Sequence, residues 1–130
     1  METGPAQTVL VVDDEPDLVE VARRVLIRQN YTVLTANSAG DGVRRLREFA
    51  DAIHLLVTDV RMPDGTGREV ADAARSTHPE TRILYMSGLP DYHPGVADLH
   101  DDDAPILAKP FTAGSLVSAV RSALDPGTRA

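Results

Sequence analysis

Residues 8–16 read Thr8-Val9-Leu10-Val11-Val12-Asp13-Asp14-Glu15-Pro16. Val9 to Val12 are apolar without interruption, and β-branched Thr8 precedes them. A half-exposed strand alternates apolar and polar residues, whereas a strand buried on both faces does not. The run therefore reads as an interior strand of a parallel sheet. It stops at three acids and a proline, and proline suits the first turn of a helix, where its missing N–H would be unpaired anyway. Beyond it, Leu18, Val21, Ala22, Val25 and Leu26 fall at i, i+3, i+4, i+7 and i+8, one apolar stripe of a helix.

The alternation continues outward. Tyr31 to Ala36 reads as a second strand between Asn30 and Asn37. Ser38 with Asp41 three residues on resembles a capping box, and Ala39, Val43, Leu46 and Ala50 continue at helical spacing. Ile53 to Thr58 is a third strand running into Asp59. The loop Arg61-Met62-Pro63-Asp64-Gly65-Thr66-Gly67 precedes a helix with Val70, Ala71 and Ala74, which His78-Pro79 ends. Arg82 to Met86 and Pro105 to Ala108 are the fourth and fifth strands. Thr112 caps a last helix with Leu116, Val117, Val120, Ala123 and Leu124 on one side, closed by Asp125-Pro126-Gly127. Between them Gly88, Pro90, Pro94 and Gly95 leave room only for a short or irregular fourth helix near Val96 to His100. Five strands alternating with helices imply an α/β fold, a parallel sheet covered on both faces through right-handed crossovers. One domain over residues 8–124 is expected, with a flexible segment at 1–7 and a tail at 125–130.

Composition narrows the function. At 130 residues, 42% hydrophobic and 25% charged, the chain has the balance of one globular domain. Thirteen basic residues against twenty acidic ones leave a net charge of −7, which repels phosphate backbones and anionic lipid. No direct nucleic-acid partner and no membrane contact are expected. The absence of cysteine excludes disulfides, thiolate zinc sites and a cysteine nucleophile. Aromatic residues at 4%, with no tryptophan, argue against a base-stacking surface. No basic-then-apolar leader occurs from Met1 to Gln7 and no apolar run approaches a membrane span, so a soluble, cytoplasmic protein is expected.

In doubly wound sheets ligands bind beyond the carboxyl ends of the strands. Strand one delivers Asp13 and Asp14 there, strand three Asp59, strand four Ser87 and strand five Lys109. Crowded carboxylates repel one another unless a cation joins them. Mg2+, a hard ion with oxygen ligands, meets that need. Lys109 is a compact charge suited to a phosphoryl oxygen, and the Ser87 hydroxyl can donate to another. Such a set can hold a phosphoryl group on or beside a carboxylate; the spacing alone does not say which carboxylate reacts. Taken singly, Asp13-Asp14 reads equally as a helix cap, and Asp59 or Ser87-Gly88 as a turn. Unrelated caps would not bring all five to one edge. His54, His78, His93 and His100 adjoin no second ligand at metal spacing and read as structural or solvated. Met62 and Pro63 read as loop geometry and Tyr85 as packing.

The segments VLVVDDEPDL, LLVTDVRMPDGTG, ILYMSG and ILAKPF resemble the receiver domains of two-component response regulators, over about residues 8–124. The resemblance implies a flavodoxin-like, doubly wound, five-stranded parallel sheet in the order 2-1-3-4-5. It makes Asp59 the phosphoacceptor for a histidine kinase or histidine phosphotransfer protein. Asp13 and Asp14 match the acidic pair that holds Mg2+, together with Asp59 and the backbone carbonyl of Arg61. Ser87 matches the switch hydroxyl, Lys109 the lysine that pairs with acceptor and phosphoryl group, and Lys109-Pro110 a cis peptide. A signalling switch is implied, not a metabolic enzyme. Many receivers carry Tyr or Phe three residues before the lysine, where this chain has Ile106. With the segment at 91–103 short and acidic, a monomer or weak dimer is expected. ILYMSG and ILAKPFTAGSL look most like receivers attached to hybrid histidine kinases.

Rival readings fare worse. A haloacid-dehalogenase-type phosphatase wants a second Asp two residues after its nucleophile, where Arg61 stands. A dinucleotide-binding turn needs glycines where Asp13-Asp14-Glu15 stands, and a P-loop needs a Gly-Lys-Ser/Thr that is absent. A phosphate sink, or a receiver fold used only for protein contacts, remains the alternative function.

Overall fold

Strand β1 (Thr8–Val12) is buried at every residue, as an interior strand with apolar side chains on both faces must be. It leads through helix α1 (Pro16–Arg28), strand β2 (Thr32–Ala36) and helix α2 (Ala39–Glu48) to strand β3 (Leu55–Asp59). A small ribbon follows, β4 (Arg61–Met62) antiparallel to β5 (Gly65–Thr66), then helix α3 (Gly67–Thr77) and strand β6 (Arg82–Ser87). Strand β7 (Ile106–Ala108) and helix α4 (Ala113–Leu124) complete the described elements. The structure is a computed structural model and describes residues 6–88 and 104–125. The five longer strands make a parallel sheet in the order β2-β1-β3-β6-β7, the expected 2-1-3-4-5 once the ribbon strands are counted. The expected fourth helix near Val96 to His100 lies outside the described residues, as do 1–5 and 126–130 of the two expected tails.

The sheet divides the core in two. Leu10 and Val12 join Leu56, Tyr85, Leu46 and Val70 beneath α2 and α3. Val9 and Val11 join Val57, Met86, Leu26 and Leu116 beneath α1 and α4. A buried aliphatic side chain contributes about 1.5–3 kcal/mol, an exposed ion pair about 0–1 kcal/mol. The two apolar layers, not the Arg–Asp and Arg–Glu pairs along α1 to α3, therefore hold the strand ends in place. Among the described residues no helix is long and apolar enough to cross a membrane.

Local structure departs from the sequence expectation in several places. In α1 Ala22 and Leu26 enter the core with Leu18 and Val25 packed against them, and Val19 is also buried; of the expected stripe only Val21 turns outward, 57% exposed. In α2 the helix ends at Glu48, Phe49 turns extended, and Ala50 is exposed beyond it. Ser38 does cap Asp41, its hydroxyl accepting from the amide at 3.0 Å, but the Asp41 carboxylate turns to Arg44 and the box is not closed. Closed capping boxes lie instead at α3, where Thr66 and Glu69 satisfy each other's amides, and at α4, where Thr112 and Ser115 do the same.

The cis peptide implied for Lys109-Pro110 is present. Where the sequence suggested a plain loop after Asp59, the chain forms the β4–β5 ribbon and turns back at Gly67. The Gly67 amide donates to the Val60 carbonyl at 2.8 Å, and a Cβ on Gly67 would collide with the Asp59 carbonyl oxygen. The Asp59 oxygen is backbone and a Cβ is fixed by the backbone that bears it, so no side-chain rotation relieves the collision. Gly67→Ala should therefore cost about 1–3 kcal/mol of stability or more in urea unfolding. Gly114→Ala, whose Cβ would meet only Thr112 Oγ1 at 3.8 Å, should be neutral or stabilising by up to about 1 kcal/mol. Equal midpoints for the two variants would contradict the close approach at Gly67.

Candidate functional site

The carboxyl ends of β1, β3, β6 and β7 are adjacent in the sheet, so the residues that follow them share one edge. Asp13 follows β1 and is fully buried. One of its oxygens accepts from the Glu15 amide at 2.9 Å, and the other accepts from Lys109 Nζ at 2.6 Å. Asp14 stands beside it, more open to solvent. Asp59 is the last residue of β3, and its carboxylate lies 3.4 Å from the same ammonium. Oxygens of Asp13, Asp14 and Asp59 all lie within 4.8 Å of one another.

Lys109 is positioned by backbone as well as by charge. Its amide donates to the Ser87 carbonyl at 2.9 Å, extending the β6–β7 pairing by one residue. Ser87 ends β6 and is 6% exposed, one residue beyond Met86, the register partner of Asp59. Arg61, two residues past Asp59, opens the ribbon. The structure thus brings Asp13, Asp14, Asp59 and Lys109 together and sets Ser87 and Arg61 at the adjoining chain ends. The sequence missed Glu15, whose carboxylate is 3.7 Å from Lys109 Nζ. Its place directly after the acidic pair was the available signal.

The charges explain each other. Burial first, and then the neighbouring Asp13 charge, raise the Asp59 carboxyl; Lys109 offsets part of the rise, and together they leave it at about 6. Burial acts to lower the Lys109 ammonium, but the hydrogen bond to Asp13 and the charges of Asp59 and Asp13 outweigh it and hold its pKa above the ordinary value. Three carboxylate oxygen donors beside a single ammonium leave negative charge uncompensated, and the all-oxygen set fits a hard divalent cation such as Mg2+ rather than a soft metal. The described histidines take no part. His54 Nδ1 accepts from the Thr8 amide at 2.9 Å and His78 Nε2 lies 2.8 Å from the Leu46 carbonyl, each holding backbone. His93 and His100 lie outside the described residues.

The response regulator receiver domain family matches residues 9–121 of the chain. The chain belongs to that family. The receiver is 29% identical over 120 residues to the response regulator protein PilR of Pseudomonas aeruginosa, covering 91% of the chain and 26% of PilR. It is also 29% identical over 118 residues to the sensor kinase CckA of Brucella abortus, covering 91% of the chain and 12% of CckA. The chain therefore spans only a small part of these relatives. A response regulator receiver protein from Sinorhizobium medicae superposes with a TM-score of 0.80 at 32% identity, over 92% of this chain and 95% of that one.

The raised Asp59 carboxyl carries a stability signature in the metal-free receiver. A carboxyl whose folded pKa lies near 6, above its ordinary 3.8, binds more protons folded than unfolded between those values. Its contribution to stability is full below about pH 4 and is lost as pH rises through 6. Asp59→Asn removes the group, so in chelator the variant should be the more stable protein at pH 7. The gain is on the order of 1–2 kcal/mol once screening by solvent is allowed for, and it should vanish by about pH 4. A gain that is the same at pH 4 and pH 7 in urea titrations would refute this account.

Proposed function

We propose that the receiver, over residues 8–124, accepts a phosphoryl group on Asp59 in a His–Asp phosphorelay, from a histidine kinase or a histidine phosphotransfer protein. The observation that supports this most is the Lys109 ammonium, 2.6 Å from Asp13 and 3.4 Å from Asp59, at the edge where three carboxylates meet. An Asp59 oxygen attacks phosphorus while the bond from phosphorus to the histidine nitrogen breaks. The electron pair leaves with the imidazole, and Asp59 becomes an acyl phosphate. Charge gathers on the phosphoryl oxygens in the transition state, and groups already in position stabilise it without reorganisation.

In that scheme Lys109 carries a permanent positive charge to one phosphoryl oxygen, and the Ser87 hydroxyl donates to another. Asp13, Asp14, Asp59 and the Arg61 backbone carbonyl would hold Mg2+, which supplies charge neutralisation for carboxylates and phosphoryl oxygens alike. The phosphoryl group adds nearly two negative charges, enough to draw Ser87 and Lys109 inward and bias the strand-end loops. Water attacking phosphorus returns the Asp59 carboxylate and inorganic phosphate. The receiver is in this reading a switch that assists its own phosphorylation and dephosphorylation. Its likeness to a region of a sensor kinase and to a region of a response regulator favours a relay setting.

Intact mass after incubation with acetyl phosphate tests the proposal. One labile phosphoryl adduct is expected with Mg2+, none with chelator and none on Asp59→Asn. Asp14→Ala should weaken Mg2+ binding in calorimetry. Failure to take phosphate from acetyl phosphate and also from a phosphorylated histidine kinase would overturn the reading in favour of a contact-only receiver fold.

A further inference from the structure

Helix α2 is capped in an unusual way. Ser38 serves the Asp41 amide, but the two preceding amides turn to a residue far along the chain. Ala39 N donates to Asp64 Oδ1 and Gly40 N to Asp64 Oδ2, each at 2.9 Å. A local side chain would satisfy the helix equally well. A distant one does something more, because it fixes the loop that carries it.

Asp64 sits at the tip of the β4–β5 ribbon, between the paired residues Met62 and Gly65. The ribbon's root is held where Val60 N donates to Met86 O at 3.1 Å and Gly67 N to Val60 O at 2.8 Å. Its middle is held by Met62, buried in the core under α2 and α3. The tip has the Asp64 carboxylate, and a ribbon of two-residue strands has little stability of its own. The amides of Gly40 and Ala39 hold the Asp64 carboxyl below its usual range, so both oxygens stay acceptors near neutrality.

We infer that Asp64 is a positioning residue: by tying the ribbon tip to the α2 N-terminus it holds the Arg61 backbone carbonyl where a divalent cation on Asp13, Asp14 and Asp59 requires it. The inference rests on the proposed phosphoacceptor reading. Mg2+ demands near-ideal octahedral geometry, so a carbonyl ligand on a swinging loop binds worse than one already in place. Asp64 touches neither the cation nor the phosphoryl group, and its effect should fall on metal affinity rather than on the chemical step.

The test is Mg2+ titration by calorimetry on the full chain, paired with phosphoryl uptake from acetyl phosphate at saturating Mg2+ by intact mass. Asp64→Ala should weaken Mg2+ binding about ten-fold, the scale on which partners of metal ligands act, with uptake at saturating Mg2+ within about two-fold of the parent. Asp64→Asn keeps one acceptor oxygen and the shape, and should lose less. Ser38→Ala also removes a cap from α2 but leaves the ribbon tied, and should bind Mg2+ like the parent. Working at about 0.5 M KCl, where screening acts within about 5 Å, removes the distant pull of the lost charge. Parent-like affinity in Asp64→Ala, or equal weakening in Ser38→Ala, overturns the inference. A parent that binds no Mg2+ overturns the phosphoacceptor reading along with it, and the parent titration alone tells the two failures apart.

Discussion

Three carboxylates within 4.8 Å of one another are the constraint around which the rest of the molecule is arranged. Two like charges 4 Å apart cost about 4 kcal/mol at the effective dielectric of a protein surface. The whole stability of a domain is only about 5–15 kcal/mol. A cluster of this kind is sustained only if an opposite charge is fixed in its midst. Lys109 is that charge, and it comes from the far end of the chain: it lies 96 residues from Asp13, with 2.6 Å between their charged groups. The contact exists because β7 and β1 belong to one sheet whose apolar layers set the strand ends in register.

The single ammonium is insufficient for full neutrality. Asp13 is satisfied by Lys109 and the Glu15 amide, whereas Asp59 shares the ammonium at the longer distance of 3.4 Å. Its carboxyl is accordingly the one driven up to about 6. The residue left least comfortable by the fold is thus the one proposed to react, and both a cation and a phosphoryl group held by Lys109 would relieve its position. Placing an ill-satisfied group on the end of an otherwise buried strand is tolerable only because β3 is locked by neighbours on both sides.

The strand-end residues were legible in the sequence because each directly follows an apolar run that announces its own end. Asp13, Asp14, Asp59, Ser87 and Lys109 needed only the rule that such ends share an edge. The helix faces were less legible. In α1 Leu18, Ala22, Val25 and Leu26 pack as their spacing says, but at the margin of the stripe Val21 is exposed and Val19 buried, and periodicity alone does not fix that margin. Ala50 fits the α2 spacing but falls beyond the helix end, which Phe49 makes by turning extended. The ribbon was invisible because strands of two residues carry no period. Asp64 looked like an ordinary turn residue in Pro63-Asp64-Gly65, and nothing local says that its partners are amides 24 and 25 residues away.

These constraints are not symmetric about Asp59, and the asymmetry bears on how a signal would leave the site. On the β4–β5 side the chain is pinned at Val60, Met62 and Asp64, so added charge on Asp59 finds little there that can move. On the β6–β7 side the adjoining groups are the Ser87 hydroxyl and the long Lys109 side chain, whose ammonium is shared between Asp13 and Asp59. Beyond them, Ile106 on β7 is 47% exposed and has no ring whose rotation could report the change. An aliphatic side chain carries no hydroxyl or ring edge with which to make a new hydrogen bond when it turns. In the proposed switch, adjustment at the ends of β6 and β7, led by Ser87 and Lys109, would therefore carry the change rather than the pinned ribbon.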